Sequence, residues 1–145
     1  MLRVMVFILA AGPAFAGALD LDGTWHVAEV LAPGVSVGES DLSIRLQGKE
    51  VTLSGARLQL PGGLFCDMAP AQPVNLRDDA ESFGSAGGSW ASVGLVAGQG
   101  VYAVEMSALD CGGEGPLELL VQTGSRAVLL DLGDGLYARL MRPES

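Results

Sequence analysis

Leu117-Glu118-Leu119-Leu120-Val121-Gln122-Thr123-Gly124-Ser125-Arg126-Ala127-Val128-Leu129-Leu130-Asp131-Leu132 reads as two strands joined by a turn. Leu117, Leu119 and Val121 flank Glu118 and Gln122, and Val128, Leu130 and Leu132 follow after Thr123-Gly124-Ser125. A period of two places successive side chains on opposite faces of a sheet. Asp134-Gly135 then signals a hairpin into the strand Leu136-Tyr137-Ala138-Arg139-Leu140-Met141-Arg142. Outward from this segment the same alternation recurs. Tyr102, Val104 and Met106 share one face, with Val101, Ala103 and Glu105 on the other. Leu42, Ile44 and Leu46 alternate with Ser43, Arg45 and Gln47. The Gln47-Gly48-Lys49 turn leads to Val51 and Leu53, and Leu58 and Leu60 continue the pattern.

No stretch carries a sustained 3.6-residue apolar period, so the chain reads as all-β. Strands are expected over about 23–31, 41–47, 50–54, 57–60, 73–77, 90–96, 101–107, 117–123, 126–132 and 136–142. About eight to ten short strands suit a small antiparallel β-barrel, with a β-sandwich as the alternative. Closure favours the barrel because it removes exposed strand edges. Residues 61–89, rich in Gly, Pro and acids, read as a long loop around Cys66, with a short strand near Val74.

The 145 residues provide for one domain. Eight Lys+Arg against 17 Asp+Glu give a formal charge of −9. That balance argues against nucleic acid or an anionic membrane surface as the main partner, since both attract basic patches. It leaves a neutral ligand or a basic protein partner.

Residues 1–16 read as an export signal. Arg3 supplies the basic start, residues 4–11 are an apolar run, and Ala14-Phe15-Ala16 has the small-x-small form of a cleavage site. The run is shorter than the roughly 20 residues of a membrane span. Cleavage after Ala16 leaves a single domain at 17–145, periplasmic or secreted, and losing Arg3 takes the charge from −9 to −10. The two cysteines, Cys66 and Cys111, are expected to pair in that oxidising setting. A metal thiolate pair or a reactive thiol are the competing readings. Two Cys with a single His cannot fill a four-ligand zinc site without carboxylates.

Leu19-Asp20-Leu21-Asp22-Gly23-Thr24-Trp25-His26-Val27 opens the first strand. Its Gly-x-Trp resembles the opening of lipocalin-like (calycin) barrels, and it is similar to META domains and to bacterial metalloprotease inhibitors of that type. The Gly-Cys-Asn segment of META domains has no counterpart here, the nearest cysteine lying in Leu64-Phe65-Cys66-Asp67. The resemblance implies that Trp25 plugs one barrel end and that a basic residue of the last strand covers it. Arg139 and Arg142 are the candidates.

No catalytic constellation is expected. His26 is the single His and follows Trp25 on a strand, so with Trp25 inside it faces outward. No Gly-x-Ser-x-Gly elbow supports a triad. Gly87-Gly88-Ser89 and Gly112-Gly113-Glu114-Gly115 precede no helix and read as turns. Asp20 with Asp22, and Asp131 with Asp134, lack the later ligands of a calcium loop. Asp78, Asp79 and Glu81 read as a solvated acidic loop. The expected protein is therefore a non-enzyme without metal or cofactor. Its first functional reading is a barrel binding a small apolar or amphipathic ligand, with Ala91, Gly94, Ala97, Ala103 and Ala138 leaving interior room. The alternative is an acidic interaction or inhibitor module for a basic secreted or envelope protein, with 61–89 as contact surface.

Overall fold

A computed structural model describes residues 19–34, 38–83, 87–107, 111, 117–133 and 135–143. The export signal read at 1–16, the turn at 112–115 and Asp134 lie outside the described residues. Nine strands form one antiparallel sheet: β1 (Gly23–Leu31), β2 (Glu50–Ser54), β3 (Arg57–Leu60), β4 (Leu64–Asp67), β5 (Gln72–Leu76), β6 (Gly98–Met106), β7 (Leu117–Gln122), β8 (Ala127–Gly133) and β9 (Leu136–Met141). Their order is β4-β3-β2-β1-β9-β8-β7-β6-β5. The sheet curls into a half-barrel, consistent with the expected small barrel. Its two ends meet just after β4. The Met68 amide donates to Ala56 O at 2.7 Å, Met68 bridges Met106 of β6, and the Ala69 amide donates to Glu105 O at 2.8 Å.

The inner face holds the larger core. Val27, Leu53, Leu58, Leu119, Leu130 and Leu140 are each at most 1% exposed. Alternation therefore sorts β7 and β8 as their sequence predicts. A second core lies on the outer face, where Val101, Ala103, Leu120, Leu129 and Tyr137 are covered by Phe83, Trp90, Val93 and Leu95. Strands β6–β9 are thus apolar on both faces along their middle, the pattern of a covered sheet.

Three sequence expectations are corrected. Residues 41–47 are not a strand but contain the helix α1 (Asp41–Leu46). Ser40 and Ser43 form a capping box, each hydroxyl accepting from the other's backbone amide, at 3.1 and 2.8 Å. Leu42 and Leu46, four apart, bury one helical face while Ile44 is 57% exposed. The apparent period of two was this i, i+4 pair plus a solvent-facing Ile.

Residues 90–96 are likewise not a strand but begin with a 3₁₀ turn at Trp90–Val93. Ser89 caps it by accepting from the Ser92 amide, and Gly94 ends it at φ +90°. Finally, the described part of 61–89 holds more than a loop with one short strand: besides the expected strand, seen as β5, it supplies β4 and the short helix α2 (Ala80–Phe83). Gly34 and Gly88 bring this cover close to the turn after β1. A Cβ on Gly88 would stand 2.1 Å from Pro33 O, and one on Gly34 2.6 Å from Phe83 O.

The small residues expected to leave interior room fall mostly elsewhere. Ala91, Gly94 and Ala97 are exposed in the outer cover, and Ala103 faces the outer core. Of the five, Ala138 lies in the inner core.

Candidate functional site

Trp25 organises one end of the half-barrel. Gly23 precedes it at φ +132°, a backbone angle that side chains disfavour, and turns the chain into β1. The indole is 3% exposed, and its Nε1–H donates to Leu21 O at 2.8 Å. The Arg142 guanidinium lies 4.5 Å from the ring centroid. Arg142 Nη1 also donates to Asp22 O at 3.1 Å, and Nη2 donates to Asp20 O. The stacked cation contributes about 0.5–2 kcal/mol, and the same fork holds residues 20–22 against the barrel end. Arg139 takes a different place. It pairs with Glu29 across β1 and β9 on the outer face.

Beside Trp25 opens a cleft of about 850 Å³. Leu21, Trp25, Val121, Val128 and Met141 supply its apolar surface. Thr123, Ser125, Arg126 and Arg142 add polar groups, and Asp20 is the one carboxylate among the described lining residues. Its volume falls within the roughly 300–1,000 Å³ of small-molecule sites, while the cleft is open to solvent and its lining is about as polar as it is apolar. The Thr123-Gly124-Ser125-Arg126 turn reads in sequence only as a strand connection. Its signal for function is an Arg placed directly after a tight polar turn, in a chain with eight basic residues.

A shallower hollow of about 510 Å³ lies over Thr52, Gln59 and Phe65 on β2–β4. Arg57 spans it, pairing with Asp67 at 3.0 Å and lying 5.3 Å from the Phe65 ring. Its cation is already matched by a carboxylate, so it has less capacity for a ligand.

The other residues singled out in sequence have local structural roles. His26 is exposed on β1, opposite Glu50 and Met141. Asp22 Oδ1 accepts from the Gly55 amide at 2.9 Å, and Asp78 Oδ1 from the Trp90 amide at 2.8 Å. Asp79 accepts from Ser82 at the start of α2, and those bonds hold its carboxyl below the usual range. Cys66 and Cys111 form a disulfide. No group of three or more His, Cys, Asp or Glu among the described residues is placed to hold a metal ion. Nor is any described helix long and apolar enough to cross a membrane.

Sequence reading missed an acidic row on the outer face. Glu105, Glu118 and Asp131 are direct cross-strand neighbours on β6, β7 and β8, and Tyr137 of β9 faces Asp131. Burial, then the charges of Asp131 and Glu105, push the Glu118 carboxyl up. Burial also raises Asp131, against the hydrogen bond from the Gly133 amide at 2.8 Å. Tyr137 is held above its ordinary range by burial and by the two carboxylates.

Raised carboxylate values mean that the folded chain binds more protons than the unfolded one. Their contribution is fully present below the unfolded values near pH 4 and is lost as pH rises through the folded values. Glu118→Gln therefore stabilises the protein at pH 7 by about 0.5–1 kcal/mol, a small figure because the group is half-buried and screened. It also flattens the decline that sets in above the unfolded value near pH 4. Urea midpoints at pH 4 and pH 7 check this, and equal midpoints for variant and parent would remove the repulsion from the account.

Comparison with protein families, with curated proteins and with solved structures finds no match to this chain.

Proposed function

We propose that this chain is a non-catalytic, exported binding barrel that takes a small amphipathic ligand in the cleft beside Trp25. The cleft itself carries the reading: about 850 Å³ walled by Trp25, Val121, Val128 and Met141, with polar groups at its margin. The ligand's apolar part lies against that wall and its polar part faces the Thr123–Arg126 turn. The inner core is a poorer place for a ligand, because Val27, Leu58, Leu130 and Leu140 fill it with no exposed surface. The disulfide supports an oxidising, exported setting. The likeness of Gly23-Thr24-Trp25 to the opening of lipocalin-like barrels supports a binding role.

Titration with decyl maltoside and with decanoate, followed by amide and indole NMR, tests the reading. The Trp25 indole N–H and the Gly124 amide are expected to shift together and to saturate. Shifts confined to the β2–β4 hollow, or no saturable shift with either amphiphile, would overturn it.

A further inference from the structure

We infer that the ligand of this cleft is anionic, an amphiphile with a carboxylate or phosphate head that Arg126 reads. The inference rests on the binding reading above and adds the chemistry of the head group. Its basis is the local reversal of charge. The chain carries −9 overall, yet among the described lining residues two guanidinium groups, Arg126 and Arg142, stand against one carboxylate, that of Asp20.

The two cations are committed differently. Arg142 donates to two neutral carbonyls and lies over Trp25, so its position is fixed while no carboxylate among the described residues pairs with it. Arg126 is exposed at the end of the turn and has no ion pair among the described residues. Elsewhere Arg57 is matched by Asp67 and Arg139 by Glu29.

The surrounding groups favour an oxyanion at the same place. Ser125 Oγ accepts from the Ala127 amide at 3.2 Å, which leaves its own O–H able to donate into the cleft. Thr123 adds a second hydroxyl at the margin. Gln122 is unavailable, because its side-chain amide closes two hydrogen bonds with the Val96 backbone, at 3.0 and 3.1 Å. A guanidinium fork beside hydroxyl donors matches carboxylate and phosphate oxygens, and such charge-assisted bonds are the strong ones. The apolar wall next to them selects a head group that brings an alkyl chain.

The test uses the mature chain and an Arg126→Gln variant with four probes: decyl phosphate, decyl maltoside, decyltrimethylammonium and inorganic phosphate. Arg126 is a surface turn residue, and matching urea midpoints will show that both proteins are equally folded. Decyl phosphate is expected to bind about tenfold more tightly than decyl maltoside in the parent, with the cationic probe weakest. In Arg126→Gln that preference collapses to within about twofold, because decyl phosphate loses far more affinity than decyl maltoside does; Arg126→Lys restores part of it.

Equal binding of the decyl probes in parent and variant would overturn the anion inference and leave the amphiphile reading standing. Inorganic phosphate binding as tightly as decyl phosphate would overturn it in favour of a free-oxyanion site. Silence from every decyl probe would overturn both.

Discussion

Trp90→Ala is expected to cost about 3–5 kcal/mol of unfolding free energy, much of the roughly 5–15 kcal/mol typical of a domain. Trp90 is the centre of the outer core. It is 5% exposed and lies 4.8 Å from the Phe83 ring and 5.6 Å, edge-on, from Tyr137. Its ring therefore joins the cover to β9, while Leu129 and Leu120 belong to the same buried cluster. Two polar ties fix its position. Nε1–H donates to Arg77 O at 2.9 Å, and its backbone amide donates to Asp78. Truncation removes the ring contacts and leaves the Arg77 carbonyl without that donor. Trp90→Phe separates the two effects, keeping most of the ring and losing about 1–2 kcal/mol for the missing hydrogen bond. Urea unfolding of the two variants is the measurement. A loss below about 1 kcal/mol for Trp90→Ala would mean that residues 77–97 do not form a cooperative part of the fold.

That outer core marks where sequence reading stops. Strands β7 to β9 were legible because their inner positions hold Leu, Val or Ala in strict alternation. The same strands also carry Leu120, Leu129 and Tyr137 on the other face, and adjacent apolar pairs such as Leu129-Leu130 are the signal of a covered sheet. Identifying the cover is harder, since Trp90 and Phe83 reach it through turns set by serine and aspartate caps rather than by any periodicity. At α1, the Ser40 and Ser43 box outweighed an alternation that Leu42 and Leu46 satisfy in either conformation. Strand β4 follows Gly62 and Gly63, whose turn conformations hid a four-residue strand.

The choice between Arg139 and Arg142 was readable by parity. Leu136, Ala138 and Leu140 face inward, so an even-numbered Arg142 shares their side and meets Trp25. The cleft was not readable, because it draws on residues near 20, 125 and 142, which only folding brings together.

Breaking the Cys66–Cys111 disulfide is expected to lower stability by about 4 kcal/mol, from the entropy of closing a long loop. The bond spans 45 positions and encloses β5, α2, the 3₁₀ turn and β6. Both cysteines are fully buried in the inner core, so they also belong to its packing. Their placement gives the bond a second consequence. Cys66 lies two residues before Met68, where the two ends of the sheet meet through the Glu105 carbonyl and the Met68–Met106 bridge. The segment after β6 carries Cys111, so the covalent link and the backbone bridge close the same gap. Without the link, that closure depends on the Ala69–Glu105 backbone hydrogen bond, the Met68–Met106 bridge and the local packing.

Cys66→Ala with Cys111→Ala is therefore expected to do more than shift the urea midpoint. Hydrogen exchange at the Met68 and Ala69 amides should accelerate at least tenfold more than at Leu119 or Leu130, whose strands are paired on both sides. Uniform acceleration would show that the bond acts only on the unfolded chain. Faster exchange at Met68 and Ala69 alone would show that the disulfide holds the half-barrel shut.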